Sequence, residues 1–111
     1  MDEIIKELVG TIKELLINLT GRIDDIYNRE QAGNATDEDR ILNLFDDLGA
    51  LTEGISEIDR FFDNIDITEL QEKLSLLAET MERKDFFLFA DTLLYELKPL
   101  LVYWSGILSK E

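Results

Sequence analysis

The sequence contains no histidine, no cysteine and a single proline. Without imidazole or thiolate groups there is no Cys or His nucleophile, no Ser-His-Asp triad, no zinc site built on those ligands and no disulfide. No run of residues approaches the ~20 consecutive apolar residues that cross a membrane. These absences exclude most enzymes that use a nucleophilic side chain or a soft metal ion. We therefore expect a non-enzymatic protein without a cofactor.

Basic residues are also scarce, with 11 Lys and Arg against 25 Asp and Glu, so the net charge is −14. Nucleic acids and anionic membranes are bound through clustered Lys and Arg, and we therefore expect no nucleic-acid partner and no membrane partner. Acidic residues at positions 2 and 3 differ from the basic start of a secretory signal, which favours a cytoplasmic location. A chain of 111 residues that is 45% hydrophobic predicts one packed domain over 1–111.

Apolar residues recur at helical spacing in four parts of the chain, and no part shows the alternation of a β-strand. The four segments are Asp2 to about Glu30, about Asp37 to Asn64, about Glu69 to Glu82, and about Phe86 to Leu108. Short connections between them predict an all-α four-helix bundle of the antiparallel up-and-down type, with a short third helix.

The second segment has the most regular pattern, because two sets of apolar residues each repeat every seven positions. The sets are Ile41, Leu48, Ile55 and Phe62, and Leu44, Leu51, Ile58 and Ile65. This heptad pattern predicts a coiled-coil-like seam against a neighbouring helix. Leu42, Phe45 and Phe61 lie beside the seam and are expected to widen it.

Core faces are predicted for the other three helices from the same spacing. They are Ile4, Leu8, Ile12, Leu15, Leu19, Ile23 and Ile26 in the first, Leu70, Leu74, Leu77 and Met81 in the third, and Phe86, Ala90, Leu93, Leu97, Leu101, Trp104 and Leu108 in the fourth. Pro99 falls within the fourth helix and predicts a kink there, because proline removes the hydrogen bond to the carbonyl of Tyr95.

Capping residues are expected at the helix starts. Gly33 tolerates the left-handed backbone that ends a helix, and Thr36 is a good N-cap for the second helix. Thr68 or Asp66 fits a capping box for the third helix, and Asp85 is placed to cap the fourth.

The last helix carries a second apolar stripe on the side opposite its core face. Leu88, Tyr95 and Val102 form this stripe and are also seven residues apart. Two interpretations remain open: the helix is central in the bundle and buried on both sides, or the stripe contacts a second copy or a partner helix. The predicted interface residues are Leu88, Asp91, Tyr95, Val102 and Tyr103.

Asp91 and Trp104 allow simpler interpretations. Asp91 is either a polar spot in a partner groove or a surface group that contacts Lys98 or Tyr95. Trp104 lies on the core face and is expected to be packing, whereas Tyr103 is expected to be exposed.

Acidic residues are concentrated in the middle of the chain. Residues 37–72 contain twelve acidic and two basic side chains, a local charge of −10. Such a surface either attracts a basic partner or is a solvated helix face that keeps the protein soluble.

Two carboxylate pairs suggest a different class of function. Glu69 with Glu72, and Glu82 with Asp85, are similar to the paired acidic motifs of all-α nucleotide pyrophosphohydrolases that hold Mg²⁺. The core residues of the third helix, however, direct these carboxylates toward solvent rather than toward one point, which disfavours a Mg²⁺-dependent nucleotide hydrolase.

The run Ala90-Asp91-Thr92-Leu93-Leu94-Tyr95-Glu96-Leu97-Lys98-Pro99-Leu100 lies within the stretch from Lys84 to Trp104. This stretch, about a fifth of the chain, resembles the C-terminal helix of small bacterial helical proteins without assigned function. The resemblance implies a bacterial, intracellular bundle and supplies no catalytic residue. In size and helical content the chain is also similar to flagellar export chaperones.

Three functional hypotheses follow. The leading one is a non-enzymatic protein-interaction module, a homodimer that associates through the outer stripe of the last helix. The second is a chaperone or adaptor that binds an amphipathic helix of a partner protein. The third, from another class, is the Mg²⁺-dependent hydrolase.

Overall fold

The structure is a computed structural model that describes residues 2–34 and 37–111. In these residues there are α-helices but no β-strand, which confirms the predicted all-α bundle. The α-helices are α1 (Glu3–Gln31), α2 (Glu38–Ile58), α3 (Ile67–Glu82), α4 (Phe86–Thr92) and α5 (Lys98–Leu108). A π-helical turn (Leu93–Leu97) joins α4 to α5 without a break, and we call residues 86–108 the C-terminal helix.

The bundle is a rod of 46 × 21 × 21 Å built around α1, its longest helix. Helix α1 packs against α2 and against the C-terminal helix, while α3 packs against α2, α4 and the π-helical turn. The up-and-down order of the helices stays a prediction. Across the described residues, no helix combines the length and the apolar content that crossing a bilayer requires.

The heptad seam of α2 is confirmed, since all of its members are buried except Phe62, which is half-buried. The helix ends earlier than predicted, at Ile58, and a 3₁₀ turn (Asp59–Phe61) follows it. Leu42 and Phe61 do not widen the seam, because both are exposed. The tighter 3₁₀ turn rotates Phe61 away from the core, and the Arg60 guanidinium lies 4.9 Å from its ring centroid instead.

Two residues assigned to core faces, Ile4 and Phe86, are exposed. Each lies in the first turn of its helix. At the start of α1 it is Ile5, not Ile4, that packs against the core, although the spacing of Ile4 matches that of the buried residues.

Aspartates cap the helices. Thr36, the predicted N-cap of the second helix, lies outside the described residues. Asp37 is the N-cap of α2, where its carboxylate accepts the backbone N–H three residues ahead at 2.8 Å. Asp66, not Thr68, is the N-cap of α3, so this helix begins at Ile67. Asp85 caps α4 as predicted.

Pro99 is accommodated by a π-helical turn immediately before it. The N–H of Lys98 donates to the carbonyl of Leu93, five residues back, and a new α-helix begins at Lys98. Pro99 thereby occupies the first turn of α5, where a backbone N–H needs no partner within the helix. The structure thus places a wider turn immediately upstream of the proline, and the kink expected at Pro99 stays a prediction.

Two glycines of α2 provide a matched test of the α1–α2 packing. A Cβ at Gly54 would lie 3.1 Å from the side chain of Ile12, whereas a Cβ at Gly49 would meet nothing within 4 Å. We expect Gly49→Ala to raise the free energy of unfolding by about 1 kcal/mol, the usual gain of alanine over glycine inside a helix. Gly54→Ala should raise the free energy of unfolding by less than Gly49→Ala does, or lower it, because the side chain of Ile12 must move. Urea denaturation followed by circular dichroism measures both, and equal gains would contradict the close contact.

Two leucines of α2 test the seam itself. Leu51 is fully buried and Leu42 is exposed. Leu51→Ala should lower the free energy of unfolding by about 2–5 kcal/mol, because it removes buried methyl groups and leaves a cavity. Leu42→Ala, the control, should change it by less than about 0.5 kcal/mol. A similar effect of both substitutions in urea denaturation would show that the seam is misplaced.

Candidate interaction surface

The outer stripe of the C-terminal helix, which consists of Leu88, Tyr95 and Val102, is exposed in the single chain. The exposed fractions are 41% for Leu88, 64% for Tyr95 and 52% for Val102. The inner face is fully buried: Leu93, Leu97, Leu101, Trp104 and Leu108. The interpretation in which the helix is central and buried on both sides is therefore wrong. The stripe is an apolar surface that the chain itself leaves uncovered.

Tyr95 lies in the π-helical turn and contacts Tyr27 of α1. The two hydroxyl oxygens are 3.5 Å apart, and the rings meet edge to face with their centroids 6.1 Å apart. The hydrogen bond with Tyr95, desolvation and the negative charge of Asp91 raise the pKa of Tyr27 above its ordinary value.

Ion pairs hold the C-terminal helix on both sides of the stripe. The Nζ of Lys98 lies 2.6 Å from the Oδ1 of Asp24 on α1, and the Nζ of Lys73 on α3 lies 2.8 Å from the Oε2 of Glu96. Lys98 pairs with Asp24 and the hydroxyl of Tyr95 lies near that of Tyr27, so the predicted surface contact of Asp91 with Lys98 or Tyr95 stays a prediction. Among residues 2–34 and 37–111, no Lys or Arg forms an ion pair with Asp91.

Helix α1 contributes to the same surface, which the sequence pattern did not indicate. The contacts of Tyr27 with Tyr95 and of Asp24 with Lys98 show that α1 and the C-terminal helix are antiparallel here. A step of three residues toward the N-terminus of α1 corresponds to a step of three residues toward the C-terminus of the other helix. Continuing this register brings Ile17 level with residue 105, one helical turn from Val102. Ile17 is 65% exposed. In the sequence, the only sign of this role was that Ile17 is apolar. Helical periodicity alone did not assign Ile17 to the exposed surface.

Tyr103 and Trp104 lie where the sequence predicts. Tyr103 is 51% exposed, beside the outer stripe in sequence, and Trp104 is fully buried in the core. The indole N–H of Trp104 has no hydrogen-bond partner among the described residues. A buried donor without a partner destabilises the fold, so the packing of the ring must outweigh that penalty.

A polar groove of about 570 Å³ lies between α1 and α2. It is lined by Asn18, Arg22, Asp25, Ile26, Arg40, Asn43, Asp46 and Asp47. Arg22 pairs with Asp47, and the Nη1 of Arg40 lies 2.6 Å from the Oδ2 of Asp25. These ion pairs neutralise both guanidinium groups and connect α1 to α2. The groove is therefore a contact between two helices rather than an anion-binding site.

Several acidic residues of segment 37–72 have a local structural role. Asp37 and Asp66 cap helices, and Asp47 pairs with Arg22. The hydrogen bonds that Thr68 donates to Asp66 lower the pKa of that carboxyl group. These contacts account for part of the acidic segment without a basic partner.

The carboxylates considered for Mg²⁺ do not form a cluster. Glu69, Glu72, Glu82 and Asp85 are exposed, and Asp85 accepts the backbone N–H of Leu88 at 3.0 Å. In the part of the chain that the structure describes, no group of three or more carboxylates is arranged to hold a metal ion.

Comparison with known proteins gives one finding. The model of a family described as Domain of unknown function (DUF8042) matches residues 7–107. Neither the curated proteins nor the solved structures yield a match to the chain. The matched range includes the outer stripe, Tyr27 and Ile17, so the surface lies within the family domain.

The tyrosine contact predicts an alkaline titration. Hydrogen bonding favours the neutral form of Tyr27, so the stability that this contact contributes is complete below the ordinary tyrosine pKa and is lost as pH rises through the raised pKa. In Tyr95→Phe the pKa of Tyr27 should return toward its ordinary value. Ultraviolet titration of tyrosinate in dilute protein measures this change, with Tyr103→Phe as the control. An unchanged titration in Tyr95→Phe would contradict the contact.

Proposed function

We propose that this chain, which belongs to the family described as Domain of unknown function (DUF8042), is a non-enzymatic protein-interaction module of the cytoplasm that forms a homodimer. The contact surface is the outer stripe of the C-terminal helix together with its neighbours Asp91 and Tyr103. The observation that carries the proposal is the exposure of Leu88, Tyr95 and Val102 on a helix whose opposite face is fully buried.

The apolar character of the surface supports association with another protein surface. Three large exposed side chains lie on the C-terminal helix at intervals of seven residues, with the π-helical turn between the first and the last of them. Tyrosine, the most exposed of the three, is enriched in the centres of protein interfaces. Scattered exposed apolar residues are common on proteins, but here several large ones lie on one helix whose opposite face is fully buried.

The charge distribution supports a second copy as the partner. Residues 86–108 contain only Asp91, Glu96 and Lys98 as charged side chains, a local charge of −1 in a protein of −14. Two identical acidic molecules repel one another, and they associate with the smallest electrostatic penalty through the face that carries the least charge. The stripe is such a face, whereas segment 37–72 would bring a charge of −10 on each copy into contact.

The alternative occupant of the stripe is an amphipathic helix of a different protein, as in a chaperone or adaptor. The likeness to flagellar export chaperones implies this use, and the same exposed residues would receive the helix. The behaviour of the purified chain separates the two, because a homodimer forms without any other protein.

A double substitution tests the proposed surface. Leu88→Glu with Val102→Glu places two negative charges on each outer stripe, so a dimer would face four new charges at its contact. We expect the variant to sediment as a monomer at a concentration where the unaltered chain is dimeric. Its helical circular dichroism and melting temperature, measured at a dilution where both proteins are monomeric, should stay close to those of the unaltered chain.

The matched control is Ile4→Glu with Leu42→Glu, two exposed residues outside the surface that receive the same added charge. This control should remain dimeric. If both variants dissociate equally, added charge alone explains the result and the surface is wrongly assigned. If the stripe variant unfolds instead, the stripe is part of the core.

A further inference from the structure

We draw no further inference here: the strongest candidate, the exposed aromatic patch of Phe86 and Phe87 at the start of the C-terminal helix, carries none, because nothing in the structure shows what covers it.

Discussion

One helix carries more apolar surface than the interior of this bundle can cover. A helix packed against the outside of a bundle buries only the side that faces its neighbours, and the C-terminal helix does so through Leu93, Leu97, Leu101, Trp104 and Leu108. The outer stripe remains in water at about 25 cal/mol per Å² of unburied apolar area. The fold leaves this excess uncovered, and in the proposed homodimer a second copy covers it.

In the proposed homodimer, the distribution of charge determines where the two copies meet. Acidic residues are concentrated in α2 and the segments that flank it. Two of them, Asp37 and Asp66, cap helices, and Asp47 connects α2 to α1 through an ion pair with Arg22. In the proposed homodimer, the same excess of acid repels other copies elsewhere on the surface. The C-terminal helix is nearly neutral, because Asp91, Glu96 and Lys98 are the only charged side chains among residues 86–108. Repulsion elsewhere therefore favours contact through this helix.

Periodicity in the sequence predicted the helices and most of the core, because burial of one helical face imposes its spacing directly on the chain. The seam of α2 is the best example, and the errors at Ile4 and Phe61 occur in the first turn of a helix and in a 3₁₀ turn. The outer stripe was also visible as a heptad line. The contacts of Tyr95 with Tyr27 and of Lys98 with Asp24 were not, because they depend on the register between two helices that are distant in sequence.

Multi-angle light scattering over a concentration series of the unaltered chain tests the central claim most directly. The account predicts a mass that rises with concentration from the 12.8 kDa of one chain and levels off at twice that value. A plateau at two chains is expected because pairing covers both stripes and leaves none for a third copy. A mass of 12.8 kDa at every concentration, up to the limit of solubility, would contradict it.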